Sequence, residues 1–323
     1  MRYFMGETPI CLLLDGEHPA TDLVSTYDVR VIRRADVDQR ELRELSFGSL
    51  RTKNAPLWIS PFETFLFVDA DAVVWGDMRR IANFERFDII LNTPIGNPER
   101  VRKWVMDVDR VSRYFPDFDA RAHAGEFANT GAFFARRGML DLDRYLELVR
   151  FAQGHPGLFY GSQGVFNFML FSAADEAKLR LEQRDLQVTT GDTTREEVVR
   201  RFRFEHGAPV ASVPPVVLHW AGSPKPTVRS RGQDYFEPMT FFRRQFRVAA
   251  RGGSTPRLTD DLQLRREDML CADWRGSNLR ARQLRLRRRV RQRYGQLRVK
   301  LRARTPGWII SITRREHRSR DGL

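Results

Sequence analysis

The stretch Phe65-Leu66-Phe67-Val68-Asp69-Ala70-Asp71-Ala72-Val73-Val74-Trp75 decides the reading of this 323-residue chain. An apolar run stops at two carboxylates one residue apart, and a second apolar run follows. A strand that is apolar at every position is expected to be buried on both faces, as in a parallel or mixed α/β sheet. Two acids at its end do nothing for a core: unpaired, they repel each other and lose hydration. A divalent cation at the strand's carboxyl end removes that conflict, and open α/β sheets take their ligands at that end. The competing reading is a plain strand-to-loop turn with solvated acids.

A second stretch changes the balance: Leu218-His219-Trp220-Ala221-Gly222-Ser223-Pro224-Lys225-Pro226. An apolar strand delivers a histidine, then a glycine, then a lysine between two prolines. His219 offers an imidazole nitrogen that completes a ligand set with Asp69 and Asp71, a mixed N/O site suited to manganese. Gly222 lets backbone approach a bulky anion, and Lys225 can neutralise a phosphate. Taken singly, His219 reads as a satisfied core histidine and Lys225 as a solvated surface charge.

Around these motifs, strands are expected at Ile10–Leu14, Val29–Ile32, Phe65–Val68, Asp88–Leu91, Ala132–Ala135 and Val213–Trp220. Helices are expected at Pro98–Phe115, with Val101, Val105, Val108 and Val111 on one face, and at Met139–Ala152, Ser162–Phe171 and Tyr235–Val248. Alternating strands and helices argue an α/β fold. The two cysteines, Cys11 and Cys271, lie far apart and make neither a disulfide framework nor a zinc spacing, which fits a reducing, cytoplasmic setting. No apolar run reaches membrane-spanning length, and the first residues lack the apolar core of a signal peptide.

The net charge of +14 is unevenly placed: residues 1–224 are slightly acidic, and the excess lies beyond them. The expected organisation is a domain over 1–228 and an arginine-rich helical extension over 229–323. Within the extension, 278–304 reads as a basic amphipathic helix, with Leu286, Val290, Tyr294, Leu297 and Leu301 as its apolar stripe. It fits the anionic surface of an inner membrane face, or a solvated helix packed on the domain; nucleic-acid binding is the least favoured reading.

Asp69-Ala70-Asp71 with His219-x-x-Gly222-x-x-Lys225-Pro226 resembles the GT-A fold glycosyltransferases, most closely retaining glycosyltransferase family 8 (the glycogenin and bacterial lipopolysaccharide galactosyltransferase group). Between them, Phe127-Ala128-Asn129-Thr130-Gly131 is similar to the family's Phe-Asn-x-Gly strand. Ser162-Gln163-Gly164-Val165-Phe166-Asn167 is similar to its Asp-Gln-Asp-x-x-Asn helix start. The likeness covers residues 8–228. It implies a mixed, mostly parallel sheet flanked by helices. It also implies Mn²⁺ (or Mg²⁺) held by Asp69, Asp71 and His219, and a nucleotide-sugar donor, UDP-linked, with Gly222 and Lys225 at its phosphates. Asp69 would also meet the ribose. Lys53, Asn129 and Gln163 would contact the transferred sugar, with Gln163 lining the face from which a retaining reaction proceeds. Read without the resemblance, Lys53 is an exposed charge, Asn129 shapes a turn and Gln163 caps a helix. Trp75 and Trp220 read as core aromatics.

Two departures qualify what the resemblance implies. Ser162 and Gly164 stand where the family has acids, so donor identity and stereochemical course are not set; Asp119 and Glu126 are the candidate substitutes. At the front, about one βα unit of the family's pattern is absent, and the expectation is either that Met1 is not the natural start or that this is a degenerate copy. The function expected is transfer of a sugar from a nucleotide-sugar to a glycan or lipid-linked acceptor in cell-surface polysaccharide synthesis. The rivals are a catalytically dead relative and a basic membrane or nucleic-acid adaptor on an α/β scaffold.

Overall fold

The structure, a computed structural model, describes residues 1–221 and 237–266. The chain divides into two compact units, Met1–Asp261 and Leu262–Leu323, and the elements named below belong to the first. The basic stretch 278–304 and the expected boundary at 228 lie outside the described residues.

The fold is mixed α/β, with mixed sheets flanked by helices. β1 (Ile10–Leu14) and β2 (Val29–Arg33) form a parallel pair. β3 (Thr64–Val68) leaves them for a second sheet, and β4 (Ala72–Trp75) for a third. The second sheet has the order β3, β6 (Ala132–Arg136), β5 (Ile89–Asn92), β7 (Leu181–Arg184). Its first two pairings are antiparallel and its last is parallel. The third places β11 (Val216–His219) between β4, antiparallel, and β8 (Gln187–Thr189), parallel. A short antiparallel pair, β9 (Phe204–Glu205) and β10 (Ala208–Pro209), lies between β8 and β11 in sequence.

The second and third sheets place different strands in the core. Ile89–Leu91 and Ala132–Ala135 are buried, as is every residue of β11. Thr64–Val68 is only half-buried along its length, contrary to the expectation of burial on both faces. Among the described residues β3 pairs on one side only, with β6, and its other edge stays open. Trp75 and Trp220 are fully buried core aromatics, and the Trp75 indole donates to the Val210 carbonyl at 2.6 Å.

Two helices depart from expectation. The predicted helix Pro98–Phe115 is two, Pro98–Trp104 and Val108–Tyr114. Asp107 caps the second by accepting from the Arg110 amide, and Met106 forms a β-bridge with Phe159, so the intervening residues cannot continue the first. Val101, Val105, Val108 and Val111 are nevertheless all buried, as their spacing predicts. The helix Glu237–Ala250 packs on the helix Thr21–Tyr27 and on β4, with Phe242 edge-on to Phe4 and Trp75. This helix is part of the first unit.

The loop that leads to Asn129 is fastened by a histidine. His123 bonds Glu126 through Nδ1 and Asp175, at the end of the helix Gln163–Asp175, through Nε2 at 2.9 Å. Its ring stacks on Phe118 and tilts against Phe171. An imidazole that donates from both nitrogens is an imidazolium. Burial alone would lower its pKa, but the hydrogen bonds to Glu126 and Asp175 and their charges together raise it. A pKa raised on folding gives stability that is complete below the unfolded value of 6.5 and is lost as pH rises through the folded value. His123→Gln is therefore expected to lower the unfolding free energy more at pH 6 than at pH 9, read by urea titration. An equal loss at both would contradict the charged clasp.

Candidate metal centre

Asp69-Ala70-Asp71 is the corner at which the chain passes from the second sheet to the third. The Asp69 amide still donates to the Gly131 carbonyl at 2.8 Å, one step beyond the β3–β6 ladder. On the third sheet, β11 runs antiparallel to β4 with His219 opposite Ala72, and the Trp220 amide donates to the Asp71 carbonyl at 3.0 Å. This register brings together three side chains from distant parts of the sequence. Ligand atoms of Asp69, Asp71 and His219 all lie within 4.8 Å of one another. His219 Nε2 is 3.3 Å from Asp71 Oδ1 and 3.6 Å from Asp69 Oδ2.

Lys53 arrives from the turn Leu50–Asn54, which Ser49 starts by accepting from the Arg51 amide. Its Nζ lies 3.1 and 3.4 Å from the two oxygens of Asp69, and 5.9 Å over the Phe67 ring. With 19% of its side chain exposed, it is not the freely solvated charge that a lone lysine suggests. Two carboxylates at the separation seen here repel by roughly 3–4 kcal/mol at an effective dielectric near 20. Lys53 offsets part of that for Asp69. A buried imidazole nitrogen faces both acids. Two carboxylate oxygens and one imidazole nitrogen fit a divalent cation of the manganese class by chemistry and by convergence.

The other predicted residues are placed unequally. Asn129 shapes its own turn: Oδ1 accepts from the Gly131 amide at 2.8 Å. Gln163 is the first residue of its helix, and its Oε1 accepts from the Thr130 amide at 3.4 Å, so the Asn129 and Gln163 motifs meet. Asn167 fixes that meeting. Fully buried, it accepts from the Ala128 amide at 2.9 Å and donates to the Ala128 and Gln163 carbonyls at 3.0 and 2.9 Å. Gly164 cannot carry the acid that the family pattern has there, because a Cβ would stand 2.3 Å from the Val105 carbonyl oxygen. Asp119 accepts from the Arg121 and Ala122 amides and Glu126 is bound by His123, so both candidate substitutes serve the loop. Gly222 and Lys225 lie outside the described residues.

Among solved structures the chain is similar to the galactosyltransferase LgtC in complex with donor and acceptor sugar analogues, at 12% identity and a TM-score of 0.45, over 78% of this chain and 87% of that one. An active-site mutant of LgtC gives the same values. The bifunctional glycosyltransferase WbbM, in its apo form, is similar at 13% identity and a TM-score of 0.44, over 75% of this chain and 42% of that one. No family model and no curated protein matches the sequence. The side chains, rather than these likenesses, carry the chemistry.

Two residues of the centre have no role in the sequence reading. Gly131 was quoted there only as part of a motif. A Cβ on it would stand 2.3 and 2.4 Å from Cε1 and Nδ1 of His219, so its lack of a side chain is what lets the ring reach the acids. Gln187, a buried polar residue between Leu186 and Val188, places Oε1 3.2 Å from His219 Nδ1. A glutamine between two apolar residues, at the start of the short strand Gln187–Thr189, was its only signal.

Gly131→Ala is expected to displace the imidazole, costing about 1–3 kcal/mol of stability as overpacking does. Mn²⁺ affinity, read by calorimetric titration, should fall with it. Wild-type Mn²⁺ affinity in a folded Gly131→Ala chain would contradict this account of the glycine.

Proposed function

We propose that this chain is a metal-dependent glycosyltransferase that moves a sugar from a nucleotide-sugar, UDP-linked, to a glycan or lipid-linked acceptor of the cell surface. The observation that carries the reading is the convergence of Asp69, Asp71 and His219 on one point, with Lys53 held against Asp69. A strand-to-loop turn with solvated acids does not require a buried imidazole between them. A satisfied core histidine does not require two carboxylates at its Nε2.

In this reading Asp69, Asp71 and His219 would hold Mn²⁺ or Mg²⁺. An ion held there would supply electrophilic stabilisation to the phosphate oxygens of the departing nucleoside diphosphate. The chain's own groups do the rest. Lys53 keeps a positive charge beside Asp69, within reach of a diphosphate bound there, and opposes the negative charge that grows on the leaving group. Departure of that group leaves an oxocarbenium-like sugar, so the residues around it must position hydroxyls and exclude water. Gln163 and Asn129 are assigned to that task. Each spends its carbonyl oxygen on a backbone amide, which orients the rest of the amide. Lys225 and Gly222 are assigned to the phosphates, and retention of configuration to the face lined by Gln163. Membrane-surface attachment through 278–304 belongs to the same proposal, which leaves the identity of the sugar open. Among the described residues no helix is long and apolar enough to cross a membrane.

Thermal unfolding with UDP and Mn²⁺ tests the reading. A ligand at 100 times its dissociation constant adds about 2.7 kcal/mol to the unfolding free energy. UDP with Mn²⁺ is expected to raise the midpoint well above either alone, and Asp71→Asn should remove the increment while leaving the ligand-free midpoint within a few degrees. No joint stabilisation of the wild-type chain would contradict the proposal. UDP-sugar hydrolysis that depends on Mn²⁺ would then separate an active enzyme from a relic.

A further inference from the structure

We infer that Gln187 is the positioning residue that gives His219 its metal-binding form, a claim that rests on the metal centre proposed above. A neutral imidazole ligates through one nitrogen only if the other carries the proton, and the partner of that other nitrogen decides the matter. In this chain the partner is an amide oxygen. Gln187 Oε1 lies 3.2 Å from His219 Nδ1, and an amide oxygen only accepts, so Nδ1–H donates and Nε2 is left as the nitrogen that faces Asp71 and Asp69 and would offer its lone pair to a cation held between them. The opposite amide orientation would present donors to Nδ1 and move the ring proton to Nε2, closing the lone pair to a cation.

The surroundings hold this arrangement from three directions. Gln187 is 5% exposed and His219 3%, so water does not compete for the bond. The Asn92 side chain, at the end of β5, accepts through Oδ1 from the amides of both Leu186 and Gln187, at 3.0 and 2.9 Å, and so anchors the start of β8. Beneath the pair, a Cβ on Gly131 would stand 2.9 Å from Gln187 Oε1 as well as against the imidazole, so the same glycine makes room for both partners. Among the described residues, the buried Gln187 Nε2 has no hydrogen-bond partner. A buried amide with an unmatched donor is costly, and in a strand that needed only packing an apolar residue would avoid that cost. The acceptor function of Oε1 toward His219 accounts for a glutamine here. Asn92, Gln187 and His219 thus form a chain of support that runs from the second sheet to the third.

The test is Mn²⁺ binding by the full-length chain, followed by calorimetry or by loss of the free Mn²⁺ spin-resonance signal. Gln187→Leu keeps most of the volume but removes the acceptor; Gln187→Glu keeps an acceptor. Loss of such an outer partner costs about 10–100-fold in metal affinity. Gln187→Leu is expected to lose at least about tenfold, and Gln187→Glu to stay within about threefold of the wild type, because a carboxylate also accepts from Nδ1–H. Should leucine prevent folding, Gln187→Met, longer and more adaptable, takes its place with the same expectation. Wild-type affinity in the folded apolar variant would overturn the role given to Gln187, and so would an equal loss in Gln187→Glu. A wild-type chain that binds no Mn²⁺ would overturn the metal centre itself, so the two failures are distinguishable.

Discussion

Two carboxylates one residue apart, at a corner where the chain changes sheets, are the constraint on which the rest of the centre depends. Like charges at this separation are unfavourable unless positive groups or a cation stand near them. The fold answers with two groups: Lys53 approaches Asp69 from a short turn, and His219 approaches both acids from the end of a buried strand. Neither approach is local in sequence. The strand-end amide bonds of Asp69 to Gly131 and of Trp220 to Asp71 fix the corner before any ligand is considered.

That corner also explains why small and amide residues cluster around it. Gly131 leaves the space that the His219 ring and the Gln187 amide fill. Asn167 locks the Ala128 backbone onto the helix that starts at Gln163, so the loop bearing Asn129 is held where it enters β6. Gly164 lets that helix start lie against the Val105 carbonyl, at the break between Pro98–Trp104 and Val108–Tyr114. The acid that the family pattern places at Gly164 is excluded by that close approach.

Much of this was legible in the sequence because hydrophobic runs have ends. Phe65–Val68 stopping at Asp69, and Leu218 followed by His219, announced strand termini with polar cargo, and the pairing of His219 opposite Ala72 brings the two termini together. The valine spacing over 101–111 gave the buried face correctly but not the backbone, since side-chain periodicity survives a break that Asp107 and the Met106–Phe159 bridge impose. Full burial of β3 was misread because a run of apolar residues does not reveal how many of a strand's edges are paired. Gln187 was invisible for a different reason. One amide at the start of a three-residue strand has no periodic or spacing signature, and only the register of β8 against β11 places it beside the imidazole.

The central claim is that a single imidazole and two carboxylates share one divalent ion. Pulsed electron spin resonance of the Mn²⁺-loaded chain measures this directly, because a nitrogen ligand imprints its own coupling on the manganese spin. The account predicts coupling to one imidazole nitrogen in the wild type and its disappearance in His219→Ala. Bound Mn²⁺ with no nitrogen coupling, or with coupling unchanged when His219 is removed, would contradict it.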